Sequence, residues 1–184
     1  MSIQRERRPA GGNHSDAAHR APAREKAAHD EKEKISRGQL IDELNGDLRR
    51  EYQAIISYVI FSQVLKGAEY MDIARELKKH AAEELNHALI IAKQIDYLGG
   101  EPASEPMPVR TGETAEEMLT IDLENENETI KNYRQRVRQC EALGEYAVGE
   151  YIRQILVQEQ EHQNDLATAL GKDVPDVSTA SEMA

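Results

Sequence analysis

The stretch "HAAEELNHALII", residues 80–91, decides the fold. Around it, Ile73, Leu77, Ile91 and Leu98 recur at the four- and seven-residue steps, and a multiple of seven, that keep one face of an α-helix turned inward. Glu84 and His87 fall on that same face, in the middle of the apolar stripe. Burying an ion costs several kcal/mol even after relaxation, so a carboxylate placed there needs a proton or a cation beside it.

Reading outward, the helix that carries this stretch runs from about Glu69 to "LGG" at 98–100, with Pro102 just beyond to stop it. A preceding helix starts at Ser36, where "SRGQ" reads as a capping box, and runs to Gly67. Thr114 with Glu117 offers a second capping box for a third helix ending near Gly144, and a fourth spans about Glu145 to Leu170 before Gly171. At about 27 residues, each helix is about 40 Å long. Turns of one to three residues join the first helix to the second and the third to the fourth, whereas Gly99 to Glu113 is a long connection rich in Pro and Glu. Two hairpins joined by a long crossover predict an all-α four-helix bundle over residues 36–171.

The inward stripes can then be written helix by helix. They read Leu44, Leu48, Glu51, Ile55, Tyr58 and Leu65; Ile73, Leu77, His80, Glu84, His87, Ile91 and Leu98; Leu119, Leu123, Glu126, Ile130, Tyr133, Val137 and Cys140; and Ile152, Ile155, Glu159, His162, Leu166 and Ala169. Glu51, Tyr58, Glu84 and His87 return, in the same order and at the same spacing, as Glu126, Tyr133, Glu159 and His162, so the two halves read as copies of one hairpin. Glu51 and Glu84 are equidistant from the turn at Gly67, and Glu126 and Glu159 from the turn beside Gly144. Antiparallel partners equidistant from their turn sit at one height, so six polar side chains converge on one level of the core.

Four clustered carboxylates repel one another, and two divalent cations would bring them and two neutral imidazoles to zero net charge. A donor set of carboxylates and imidazoles without thiolates suits iron or manganese, and less specifically zinc. One Glu from each of two helices, with Glu-x-x-His from each of the other two, is the ligand pattern of di-iron carboxylate bundles. Tyr58 and Tyr133 each follow a ligand Glu by two turns, as a hydrogen-bond partner to a ligand, an electron donor, or core packing. His80 reads as a packed histidine or a support to the ligands, Glu83 as solvated surface beside Gln158 at the matching position, Glu124 and Glu128 as water-facing, and Cys140 as a buried, inert thiol.

At "LNGDLRREYQAI" (44–55), "EELNHALIIAKQIDYLGGEP" (83–102) and "EQEH" (159–162) the chain resembles bacterioferritins and related ferritin-like proteins, over about residues 38–170. The resemblance implies a ferritin-like bundle whose Glu51, Glu84, His87, Glu126, Glu159 and His162 form a dinuclear ferroxidase centre for two Fe per chain. There Fe(II) is oxidised by oxygen or hydrogen peroxide and the product is kept in a homo-oligomeric shell. Bacterioferritins bind haem through a methionine beside the second helix's ligand Glu; here that position is Leu85, so no haem is expected. A C-terminal fifth helix, which lines a channel in 24-subunit ferritins, is missing from the polar end "GKDVPDVSTASEMA", which favours 12 subunits slightly over 24.

Composition bounds the function. One cysteine excludes a disulfide framework and a four-cysteine metal module, which lowers a full-length rubrerythrin-like peroxidase, and it fits a reducing cytoplasm. No apolar run approaches the roughly 20 residues that span a bilayer. Residues 1–34 hold eight Lys/Arg against six Asp/Glu, a charge of +2, leaving 15 against 28, or −13, for residues 35–184. Residues 1–35 read as a flexible basic tail and 172–184 as a polar one. So acidic a body disfavours nucleic acid, and with it a DNA-protecting shell. Iron oxidation and storage is the leading expectation. The alternatives are a di-metal peroxidase or catalase-like enzyme, rubrerythrin-like or manganese-catalase-like, and a DNA-protecting ferritin-like shell.

Overall fold

Ser36 opens the first helix. Its Oγ accepts the backbone N–H of Gln39 while the Gln39 side chain accepts the N–H of Ser36, and the same reciprocal pair joins Thr114 and Glu117 at the third helix. The computed structural model describes residues 35–177; residues 1–34 of the expected N-terminal tail and the last seven of the C-terminal one lie outside the described residues, while Ile35, expected in the tail, packs against the core. Four helices follow in order: α1 (Arg37–Val64), α2 (Met71–Tyr97), α3 (Ala115–Leu143) and α4 (Tyr146–Ala169). The first turn is longer than the sequence suggests. α1 stops at Val64 and a short 3-10 turn, Ala68–Tyr70, precedes α2. The second is tight, because Gly144 takes the left-handed conformation at φ +74° that lets α3 reverse into α4. No strand occurs among the described residues, and no helix there is long and apolar enough to cross a membrane.

α1 packs on α2 and α3, and α4 on α3 and α2, so the bundle closes in the ring order α1–α2–α4–α3. The crossover, residues 98–114, is bound to one polar row of α1. Asn45 bonds the backbone of Glu101 and Ala103, the Arg49 carbonyl accepts the N–H of Met107, and Gln53 donates to Pro108 O. Arg110 then hands the chain to α3 through Glu124, Asn125 and the carbonyl of Ile121.

The interior is layered. Leu40, Leu44, Leu48, Ile91, Ile95, Cys140, Val148 and Ile152 form one apolar cluster, and Phe61, Ile73, Leu77, Leu119, Leu123 and Leu166 form another. These are opposite ends of the same helices, and the polar stripe residues lie between them. Phe61 and Leu40 belong to the core without having been placed in the stripe. One end also buries an ion pair that the stripe left out: Arg136 of α3 donates to Asp47 of α1 at 2.6 Å and to Gln139. Asp122 is the counterpart of Asp47 in the internal repeat, but Phe61 stands where the repeat would put the arginine, and burial pushes the Asp122 carboxyl well above its ordinary value.

Candidate metal centre

Glu51 comes from α1, Glu84 and His87 from α2, Glu126 from α3, and Glu159 and His162 from α4. All six are buried, at 2 % exposure or less. The one-turn spacing of Glu84–His87 and Glu159–His162 puts each carboxylate and imidazole on one helix face.

Two ligand-like groups result. Donor atoms of Glu51, Glu84, His87 and Glu159 lie within 4.8 Å of one another, and so do those of Glu84, Glu126, Glu159 and His162. Glu84 and Glu159 belong to both. Exchanging each member of the first group for its counterpart in the repeat gives the second, so the site has the two-fold pseudosymmetry of the sequence.

The imidazoles are held from behind. His87 Nε2 lies 2.9 Å from Gln158 Oε1, and His162 Nε2 lies 3.0 Å from Glu83 Oε2. With those outer nitrogens engaged, both Nδ1 atoms face the carboxylates: His87 Nδ1 is 2.9 Å from Glu84, 3.0 Å from Glu159 and 3.5 Å from Glu51. His162 Nδ1 is 3.0 Å from Glu84 and 3.5 Å from Glu159. Glu83 is therefore not free surface as its lone carboxylate suggested. It and Gln158 are the two halves of one supporting position. The tyrosines complete the pattern across the bundle, Tyr58 donating to Glu126 and Tyr133 to Glu51.

Many donor atoms nevertheless lack hydrogen bonds. Glu51 Oε2, Glu84 Oε1, Glu126 Oε2, both oxygens of Glu159 and His162 Nδ1 are buried without a hydrogen-bond partner. His162 Nδ1 and Glu84 Oε1 are close enough to attract as an ion pair, but out of hydrogen-bond alignment. Buried polar atoms left in that condition are rare in folded proteins. A set of carboxylate oxygens and one imidazole nitrogen, all orphaned at one level, fits oxygen-preferring divalent cations.

Electrostatics without metal is a proton-neutralised version of the same site. Burial, with the Glu84 and Glu159 charges, pushes Glu51 well above the ordinary carboxylate range, and burial with Glu159 and Glu84 does the same to Glu126. Burial would also raise Glu84 and Glu159, but the His162 and His87 imidazoles outweigh it and hold both low. Burial opposes the charge of His162, yet Glu159 and Glu84 push it up to about 12, and the surrounding carboxylates raise His87 likewise. The shifts thus run in opposite directions around one centre, protons favoured on Glu51, Glu126 and the two imidazoles and disfavoured on Glu84 and Glu159.

His80 sits outside this set. Its ring stacks on His162 at 4.0 Å, and burial followed by the His162 charge drives it down to about 4. On the opposite side of the bundle, a cavity of about 10 Å³ between α1 and α3 reaches Glu51, Glu84, Glu126 and Glu159, with room for about one water. Arg50 and Glu128, which also line it, pair at 3.0 Å. Glu124 is likewise paired, with Arg110; both carboxylates face water, as expected, and each also holds an arginine.

Comparison with known proteins agrees with this architecture. A family model described as a ferritin-like domain matches residues 41–174. A ferritin-like, diiron-carboxylate protein from Bacillus anthracis str. Ames is 31% identical, with a TM-score of 0.71 over 74% of this chain and 99% of its own. A dodecameric thioferritin, the bacterioferritin-related protein from Bacteroides fragilis, is 26% identical, with a TM-score of 0.69 over 80% of this chain and 93% of its own. The bacterioferritin of Brucella melitensis biotype 1 is 27% identical over 132 residues, which is 71% of this chain and 82% of that protein. Four helices in this order around a repeated carboxylate–histidine layer, matched by the family model over most of the length, place the chain in the ferritin-like family, with bacterioferritins among its relatives.

Proposed function

We propose that the protein oxidises Fe(II) at the six-residue centre and stores the ferric product in a homo-oligomeric shell. The observation that carries this reading is the pair of four-residue groups sharing Glu84 and Glu159. On this reading Glu84 and Glu159 would be shared by two iron ions, with Glu51 and His87 to hold one and Glu126 and His162 to hold the other. Iron is the substrate here; Mn(II) or Zn(II) would fit the same donors as substitutes.

Two Fe(II) supply one electron each. Hydrogen peroxide takes the pair with two protons to give two waters; dioxygen takes the pair with two protons to give hydrogen peroxide. The chain's share is to hold both ions at one oxidant and to keep the carboxylates turned inward through Tyr58, Tyr133, Gln158 and Glu83. Each tyrosine also places a phenol against a ligand carboxylate, where it can serve as an electron and proton reserve.

Storage requires a closed assembly of one chain type. Exposed apolar residues on α1 (Ile56, Val59, Ile60) and α2 (Leu85, Leu89) support self-association, and a named relative is dodecameric. The −13 charge on residues 35–184 would draw cations toward such a shell. Leu85 offers no thioether, so haem is not part of this reading. Native mass by light scattering, together with iron retained per particle after Fe(II) loading in air, tests the proposal. A shell of 12 or 24 chains keeping its iron in solution is expected. A monomer or dimer shedding ferric precipitate would overturn storage and leave the di-metal enzyme.

A further inference from the structure

The α2–α4 side carries polar groups that the pseudosymmetry does not require. Glu76, His80 and Asp165 have donor atoms within 4.8 Å of one another, and so do His80, Glu83 and His162. His80 Nε2 is 3.3 Å from Asp165 Oδ2, while the ring itself is buried and its Nδ1 has no hydrogen-bond partner. In the internal repeat the counterparts of Glu76, His80 and Asp165 are Tyr151, Ile155 and Ile90. The same register is therefore filled by largely apolar side chains in the other half of the bundle, and packing alone does not call for a histidine between two carboxylates.

We propose that Glu76, His80 and Asp165 form a third cation site in each chain, open to solvent on the α2–α4 face. Its one nitrogen and two carboxylate oxygens suit a divalent first-row transition metal better than Mg(II), which prefers oxygen and water alone. Glu76 and Asp165 are partly exposed and can reach an arriving ion, whereas His80 is fixed by its stack on His162. Lys79, 3.5 Å from Glu76 and drawn also to Glu83 and Asp165, balances these carboxylates in the absence of metal. It is largely exposed and can swing aside.

The position has a consequence for traffic. His80 shares one group with Glu76 and Asp165 and another with Glu83 and His162, and His162 belongs to the six-residue centre. Overlapping donors thus run from the surface to the core on the side opposite the α1–α3 cavity. That approach rests on the proposed metal centre; the third site does not.

Equilibrium dialysis of the full chain against Co(II), with excess Mg(II) to occupy carboxylate-only surface sites, separates the two. The wild type is expected to hold three Co(II) per chain. Glu76→Gln/Asp165→Asn alters only partly exposed side chains, so the bundle should fold, and this variant is expected to hold two. Glu84→Ala/Glu159→Ala is expected to hold one. Equal Co(II) in the wild type and the Glu76→Gln/Asp165→Asn variant would overturn the third site. Failure of Glu84→Ala/Glu159→Ala to lose ions would instead overturn the centre.

Discussion

His162 points its outer nitrogen, Nε2, at Oε2 of Glu83 from 3.0 Å away, across the α2–α4 seam. The equivalent contact in the other half of the repeat joins His87 to Gln158 at 2.9 Å. Each contact fixes which imidazole nitrogen is left to face the carboxylates.

Gln158→Leu and Glu83→Leu should therefore weaken divalent-metal binding at the centre by about 10- to 100-fold while the helical signal is kept. Competition titration with a chromophoric chelator measures this. Unchanged affinity would mean that the ligands orient themselves without these partners.

Tyr58→Phe would leave Glu126 with no hydrogen-bond donor, since its other oxygen already lacks one, and Tyr133→Phe would do the same to Glu51. Each should cost the metal-free protein about 1–3 kcal/mol in urea unfolding. The metal-loaded protein should lose less, because a bound cation satisfies the same oxygens. Equal losses in the two forms would detach the tyrosines from the centre.

Arg136→Met leaves buried Asp47 only its longer, 3.5 Å ion pair with Arg50 and should destabilise by about 3–5 kcal/mol. Adding Asp47→Leu should recover most of that loss, since the cost lies in the poorly compensated buried charge. Urea midpoints of both variants measure the difference, and an additive double variant would contradict the pairing.

The metal-free site should lose stability as pH rises. His162 titrates near 12 in the fold against about 6.5 unfolded, so the native state holds a proton that the unfolded chain has released between these values. The raised His87 acts in the same direction, and the raised Glu51 and Glu126 do so from the ordinary carboxylate range upward, while the lowered Glu84 and Glu159 are ionised in both states and add no slope. His80, lowered to about 4, is neutral in both states above pH 7. Between pH 7 and 9 the metal-free Tm should fall. The gain on adding Mn(II) should grow, because the cations displace the protons that the centre holds, those on His87 and His162 among them. A metal-induced gain that is flat with pH would contradict the exchange.

The four helices, both capping boxes and the convergence of the six polar residues were legible in sequence because period, caps and the internal repeat all report one architecture. Legibility failed where the repeat is broken. Glu83 read as surface because Gln158 could not be a ligand in its place. The two share a supporting role that either an amide or a carboxylate can fill. Asp47 and Arg136 lay off the apolar stripe, and their pairing depends on a contact between α1 and α3 that no local period encodes. The Asp47–Asp122 repeat was the available signal. His80 and Asp165 come together across α2 and α4, and the sequence gives only the missing counterpart, Ile155.

On the proposed function, Glu51, Glu84, His87, Glu126, Glu159 and His162 make one dinuclear iron-oxidising centre within each chain. Stopped-flow absorbance during stepwise Fe(II) addition in air tests it most directly. A fast oxidation phase is expected, its amplitude saturating at two Fe(II) per chain and lost in Glu159→Ala. A fast phase saturating at one Fe(II) per chain, or one that survives Glu159→Ala at the wild-type rate, would contradict it.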